Sequence, residues 1–370
     1  MQFIGIDLHT NKFTCCYRNE NSSEETKKGK SIKTFELNSC GLAAFFQTLE
    51  PDSYVLVEAT ITTFSFVRLI QPWVKEVIVA NTYELKQISL ARTNTDKIDA
   101  SILSRILKMQ ILSGEKAISP VVLPPEDIQE LRGLFSTYRF YRKQTTQIKN
   151  RIHSLLKEKL YGFTQEEIFD KRSREKIRGL ENGTALCFQI NELFSLLEFT
   201  EARIDPLKHQ IMLQAHQYMK EIEILTSMKG VSVFIAIAII ADIICVSRFK
   251  NSKTFTSYLR SAPRVESSNT STKIKGTNKK GRKLSASLLS QCLNHVLKAS
   301  PKLNRWYTRL ARYKKAGLVR TGLRRKVFAE IYQMLKKMEY HYDRDTQNHQ
   351  EKMLQYKRIL EKRKNLLKIA

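Results

Sequence analysis

Gln2-Phe3-Ile4-Gly5-Ile6-Asp7-Leu8-His9, followed by Phe13-Thr14-Cys15-Cys16-Tyr17, is the stretch that decides the fold. Residues 3–6 and 13–17 read as two strands of a hairpin joined by the polar residues 7–12, because short β-prone runs bounded by turn formers mark strands. Residues 32–37 alternate apolar and polar side chains, the period of a half-buried strand. Tyr54-Val55-Leu56-Val57 is an unbroken apolar run, as expected of an interior strand, and 77–79 is another. Helical patterns cover 42–49, 64–74, a stretch from Tyr83, and 95–112. Three strands followed by alternating helices and strands predict a mixed-sheet α/β domain.

The chain has 370 residues, with 63 Lys+Arg against 36 Asp+Glu, a formal charge of +27. An excess of that size points to a polyanionic partner, since Lys and Arg neutralise phosphates and release their counterions. The charge is unevenly placed. Residues 1–112 hold 13 basic and 12 acidic residues, whereas 226–340 hold 25 and 4. A near-neutral front module is joined to a strongly cationic rear, which reads as chemistry in front and polyanion grip behind. Other classes drop out. The N-terminus lacks the cationic and apolar regions of a signal peptide, and the greasiest run, 231–246, is too short to span a bilayer and contains Asp242. It reads as a buried helix. Six scattered cysteines without C-x-x-C spacing, and seven histidines without a paired ligand motif, argue against zinc and fit a reducing cytoplasm.

Pro120, Pro124 and Pro125 mark a linker. Residues 128–160 are helical and basic, with an apolar stripe at Leu131, Leu134, Tyr138, Tyr141, Ile148, Ile152 and Leu155. A second helical stretch, 187–219, can fold back on it as a coiled-coil hairpin, serving as spacer or dimerisation arm. The expected domains are 1–124, 125–224, 225–340 (mainly α-helical) and a basic helical tail at 341–370.

Four acids stand out by position: Asp7 ends the first strand, Glu58 ends the fourth, and Asp96 and Asp99 open a helix. An i, i+3 spacing places the last two on one helical face, and strand C-termini point into the crevice where α/β sheets build sites. Converging carboxylates suit a hard cation such as Mg²⁺, and paired ions assist phosphodiester chemistry. Taken singly, Asp96 and Asp99 also fit the electrostatics of a helix N-terminus.

Gly5-Ile6-Asp7-Leu8-His9, Val57-Glu58-Ala59 and Asn94-Thr95-Asp96-Lys97-Ile98-Asp99-Ala100 together resemble the DEDD transposases of the insertion-sequence-110 family, relatives of the Piv DNA invertases. The resemblance implies a ribonuclease-H/RuvC-like front domain in which Asp7, Glu58, Asp96 and Asp99 bind Mg²⁺. It extends to the rear module, through residues 225–232, 247–252 and 258–264. Residues 225–232 resemble a helix-hairpin-helix turn with Ser232 in place of the usual second glycine.

By the same resemblance Ser268 is the nucleophile that forms a covalent phosphoserine with DNA, although Asn269 follows it where the family has glycine; Ser267 is the alternative in a register shifted by one. From the residues alone, 267–272 is a polar loop. Lys273, Lys275, Lys279, Lys280, Arg282 and Lys283 would line the phosphate backbone, and Tyr258, Trp306, Tyr307 and Tyr313 would stack on bases or pack the core. The family further implies double-stranded donor and target DNA, a structured guide RNA, a homo-oligomer (dimer or tetramer), and a cytoplasmic, nucleoid-associated location in a bacterium or archaeon. An RNA-free invertase, a resolvase-like nuclease and a nucleic-acid binder without chemistry remain alternatives.

Overall fold

A computed structural model describes residues 1–21, 30–82, 85, 95–180, 183–268 and 271–369, with side chains omitted at 169, 171, 265–268, 271–275 and 363–369. They form two compact units, residues 1–124 and 125–370.

In the first unit, β1 (Gln2–Leu8), β2 (Lys12–Asn19), β3 (Lys30–Glu36), β4 (Tyr54–Glu58) and β5 (Glu76–Ala80) make one sheet in the order β3-β2-β1-β4-β5. The first three strands are antiparallel, and β1, β4 and β5 are parallel. Both faces of the sheet are covered, and strand parity sorts the residues. Ile4, Ile6, Val55 and Val57 pack against Phe45 of α1 (Ser39–Phe46) and Phe66, Val67 and Ile70 of α2 (Thr63–Ile70). Phe3, Tyr54 and Leu56 face the other way, onto Leu103, Ile106 and Leu107 of α3 (Asp96–Ser113).

Three differences from the sequence reading have local causes. Helix α1 begins before residue 42 because the Asn38 side chain caps it, accepting from the Gly41 N–H at 2.8 Å. Helix α2 stops at Ile70, where Pro72 falls in a 3₁₀ turn, Gln71–Trp73. The stretch read as a linker does hold the division between the units, after Pro124, but its first part is not free: the Val121 N–H donates to Val79 O at 2.8 Å, and Ala80 bridges Pro120, so the chain returns to the edge of β5. The helix expected from Tyr83 lies mostly outside the described residues.

The second unit is mainly helical. Its longest element, α4 (Glu126–Glu158), buries Leu131, Tyr138, Ile148, Ile152 and Leu155 of the expected stripe, with Leu134 and Tyr141 half-buried. Short helices α5 (Gln165–Phe169) and α6 (Lys171–Arg178) follow. The stretch expected to be one helix over 187–219 is broken into α7 (Ala185–Ala202), α8 (Ile204–Gln214) and a 3₁₀ turn at His216–Tyr218. It does fold back on α4: Lys149 pairs with Glu201 at 2.8 Å, Glu130 with Gln214, and Asp127 with Gln217 and Tyr218. Partners rise along one strand of the hairpin as they fall along the other, so the packing is antiparallel.

The chain continues through α9 (Met219–Thr226), α10 (Val233–Ile243), α11 (Ser252–Tyr258), a two-stranded hairpin of β6 (Pro263–Ser268) and β7 (Ser271–Thr277), then α12 (Leu284–Ala299), α13 (Pro301–Ala311), α14 (Ala316–Lys337) and α15 (Thr346–Ile369). One core crosses the positions expected as boundaries at 224/225 and 340/341: Ile128, Leu131 and Phe135 share it with Ile237, Leu289, Phe328 and Tyr356. The apolar run is a buried helix, as its composition demanded. Among the described residues no helix is long and apolar enough to cross a membrane.

The most constrained contact in the first unit is at Gly5. A Cβ there would fall inside contact distance of the Ser104 N and Ala100 O backbone atoms and 2.9 Å from Leu103 C. Helix α3 therefore rests directly on the β1 backbone. Gly5→Ala is expected to destabilise the first unit by about 3 kcal/mol or more, since backbone cannot yield as a flexible side chain does; denaturant unfolding followed by circular dichroism measures it. A loss under about 1 kcal/mol would mean that helix and strand separate at little cost.

Candidate active site

The register that pairs Gly5 with Leu56 and Ile6 with Val57 makes Asp7 and Glu58 neighbours at the ends of adjacent parallel strands. Parity gives both the face covered by α3. That helix begins where Thr95 caps it, its hydroxyl accepting from the Ile98 N–H at 3.3 Å, and Asp96 and Asp99 occupy its first turn. The contact at Gly5 holds α3 against β1, so the helix start and the strand end are brought to one edge.

Asp7 is 8 % exposed. Its Oδ2 is 3.1 Å from His9 Nε2, which lies 3.4 Å from Asp96 Oδ1, and Lys12 Nζ sits 2.8 Å from Asp96 Oδ2. His9 and Lys12 are poised by the tight turn between β1 and β2, closed by a 3.0 Å hydrogen bond from the His9 N–H to Lys12 O. Burial raises the Asp7 carboxyl above the usual aspartate range, and the negative charges of Asp96 and Asp99 add to the effect against the opposing pull of His9. Asp99 is raised for the same reasons, burial first and then Asp96. Asp96 goes the other way, lowered by its hydrogen bond from Lys12, and the Lys12 ammonium is raised in turn.

Ligand atoms of Asp7, His9 and Asp96 lie within 4.8 Å of one another. Glu58 and Asp99 fall outside that closest set, although Glu58 shares Asp7's face and Asp99 is near enough to perturb it. His9 and Lys12 are the residues that sequence reasoning missed. His9 stood in the quoted motif two positions after Asp7, a spacing that returns a side chain to the same side; Lys12 required knowledge of the turn. The arrangement fits a divalent cation: buried carboxyls whose charge is disfavoured want a cation, and here an ammonium and an imidazole reach them. Beside the cluster a groove of about 690 Å³, lined by His9, Asn11, Lys12, Glu36 and Asp96, leaves room for a substrate.

In the second unit the predicted polar loop is a β-hairpin. Ser267 pairs with Thr272 and Ser268 with Ser271, so Ser268 is the last residue of β6 before a two-residue connection. The side chains of Ser267, Ser268, Lys273 and Lys275 lie outside the described residues. The hairpin's base is clamped: the Asn278 N–H donates to Ala262 O at 2.9 Å, the Arg282 N–H donates to Tyr258 O at 2.8 Å, and Arg324 reaches Ser261 Oγ at 3.0 Å and Arg260 O at 3.1 Å.

Lys279, Lys280 and Lys283 are exposed. Arg282 instead turns Nε toward Asp242 Oδ1 at 3.5 Å. Asp242, the charge interrupting the apolar helix, accepts from Ser285 N and Oγ, both at 2.8 Å, and so caps α12 from a distance; burial raises its carboxyl. Tyr258, Trp306 and Tyr307 pack at the core margin, whereas Tyr313 is 82 % exposed. In the turn before α10, Ser232 caps the helix, accepting from the Ile235 N–H at 3.3 Å. Gly230 (φ +85°) faces Val296, whose Cγ2 would lie 2.8 Å from an added Cβ. The carbonyl of Val231 accepts from Lys352 Nζ at 3.1 Å. These partners give the turn a structural role.

The raised Asp7 carboxyl yields a prediction. Because its folded value exceeds the unfolded one, the native state holds the proton more tightly, and stability falls as pH rises from the ordinary aspartate value through the raised one. At pH 7 the metal-free protein thus carries a destabilising charge. Asp7→Asn is expected to raise the melting temperature of the metal-free protein at pH 7 and to abolish the stabilisation expected of the wild type on adding a divalent cation such as Mg²⁺, about 2.7 kcal/mol at a hundredfold excess over Kd. Calorimetry with and without the ion checks both; an equal Mg²⁺ increment in the two proteins would exclude Asp7 as a ligand.

Residues 4–160 match the DEDD family of IS110 elements, described as Transposase, and residues 222–308 match the family described as Transposase IS116/IS110/IS902 family. No curated protein matches the chain. The DEDD family implies a divalent metal, for which the cluster of Asp7, His9 and Asp96 is the candidate holder. The two matches cover most of the chain, one on the sheet with its acids and one on the helices leading to and following the serine hairpin; the chain belongs to the IS110 family of transposases, enzymes that bind DNA and cut and rejoin its strands.

Proposed function

We propose that this transposase is a serine recombinase with a RuvC-like first unit, in which Asp7, Glu58, Asp96 and Asp99 hold Mg²⁺ and Ser268 is the nucleophile. The observation that carries this reading is the gathering of acids from two parallel strand ends and one helix start on a single edge. No purely structural role requires so much negative charge in one place. Bound there, Mg²⁺ supplies electrostatic stabilisation to the charge that develops on a phosphodiester under attack.

The chain's own residues have distinct parts. Asp7, most buried of the set, anchors the cluster from β1, and Asp96 and Asp99 approach it from α3. His9 and Lys12 balance the carboxylates and can pass from them to substrate phosphate. In the chemical step Ser268 Oγ loses its proton and bonds to phosphorus, while the P–O ester bond breaks and the departing strand end takes up a proton as a free hydroxyl. Rejoining reverses the roles: a strand hydroxyl attacks the phosphoserine and the serine is released.

The proposal includes a structured guide RNA and a homo-oligomeric assembly, supported by the cationic excess of the second unit and by the family's habit. Incubating the full chain with its element DNA and Mg²⁺, then denaturing it, is expected to leave DNA covalently attached to wild-type protein and none to Ser268→Ala. Strand cleavage that persists in Ser268→Ala would make the protein a hydrolytic nuclease instead. Ser267→Ala separates the neighbouring hydroxyl. Sequencing the nucleic acid that co-purifies is expected to return one RNA species; active protein without it would favour an RNA-free invertase.

A further inference from the structure

Away from the acids, the same helix carries a second constellation of opposite charge. Arg18 of β2 stands across from Phe3 in the β1–β2 register, hence on the face that α3 covers. It is 7 % exposed. Its guanidinium meets two hydroxyls of α3: Nε donates to Ser104 Oγ at 3.0 Å and Nη2 to Ser101 Oγ at 3.2 Å. Among the described residues no carboxylate lies within ion-pair distance of Arg18. An arginine cannot shed its proton, so burying one without a counter-charge is costly unless an anion arrives from outside.

A cavity of about 220 Å³ opens there, lined by Arg18, Lys30, Lys97, Ser101 and Arg105 together with the apolar Ile32, Ile98 and Ile102, with no acidic side chain. Lys97, Ser101 and Arg105 follow one another at i, i+4 and i+8 on α3, a continuous stripe. This gathering is not background, because residues 1–112 balance 13 basic against 12 acidic residues. The two constellations share one rigid element: Asp99 and Arg105 are separated by about 9 Å along the helix axis. Charged forks and hydroxyls around a small cavity match the tetrahedral oxygens of a phosphate group.

We propose that this cavity is a phosphate subsite that binds a backbone phosphodiester of the DNA strand near the one presented to the acids. Phosphate contacts fix register without reading sequence, so the subsite sets which phosphodiester reaches the cluster. The inference rests on the DNA substrate alone and stands whichever residue is the nucleophile. Ser101 and Ser104 hold the guanidinium in place, and Lys97 and Arg105, both exposed, close over the bound strand.

The test reads the site locally and without catalysis. The full chain, kept free of metal by chelation, is treated with an amine-acetylating reagent, and modification of Lys97 is followed by mass spectrometry against the exposed Lys116 of the same unit. A short thymidine oligonucleotide lacking terminal phosphates is expected to slow acetylation of Lys97 relative to Lys116 by about fivefold or more. In Arg18→Gln the protection is expected to fall below about twofold. Arg105→Gln, at an exposed position that leaves packing intact, is expected to do the same and covers the case in which Arg18→Gln fails to fold. Equal protection in wild type and Arg105→Gln overturns the proposal, as does protection by inorganic phosphate with none by the oligonucleotide, which would make the cavity a free-anion site.

Discussion

The first unit depends on one backbone-to-backbone contact, that of α3 on β1 at Gly5. A side chain at this position would push the helix off the sheet. Without the contact, Asp96 and Asp99 would have no fixed relation to Asp7, because nothing in the first turn of a helix specifies where that turn sits. The close approach also brings Arg18 within reach of Ser101 and Ser104. A single missing methyl group thus sets both the acidic edge and the basic cavity.

Charge in this unit is sorted rather than diluted. Burial, and then the charges of Asp96 and Asp99, disfavour the ionised form of Asp7; Asp99 is raised by burial and Asp96, while the turn that delivers His9 and Lys12 favours the ionised form of Asp96. Farther along α3 the imbalance is reversed. Sites for highly charged ligands are built this way: the protein tolerates unfavourable electrostatics when empty and recovers them when the ligand binds.

In the second unit the same economy serves geometry. Asp242 is buried in an otherwise apolar helix, yet its oxygens satisfy the start of α12 and draw in Arg282. Arg324 ties the strand leading into the hairpin to the helix behind it. These clamps hold the base of the hairpin whose first strand ends at Ser268. Arg282, unlike the neighbouring exposed lysines, is half-buried and turned toward Asp242.

Much of this was legible in the order of residues. Alternation and apolar runs located all five strands of the first sheet, since a strand's burial is written with a period of two. The stripe from Leu131 to Leu155 marked the long helix, and the four acids were recognisable by their places at strand ends and a helix start. Less legible were features that rest on distant partners. The strand return at Val121, the break at Arg203 and the hairpin around Ser268 follow from pairing or packing that local propensity does not encode. His9 and Lys12 join the acids only because a turn delivers them. Residue type and spacing by themselves determined the strands, the charge asymmetry and the acids; tertiary structure alone decided which charges meet, because electrostatic contact depends on distances in space that folding, and not chain order, sets.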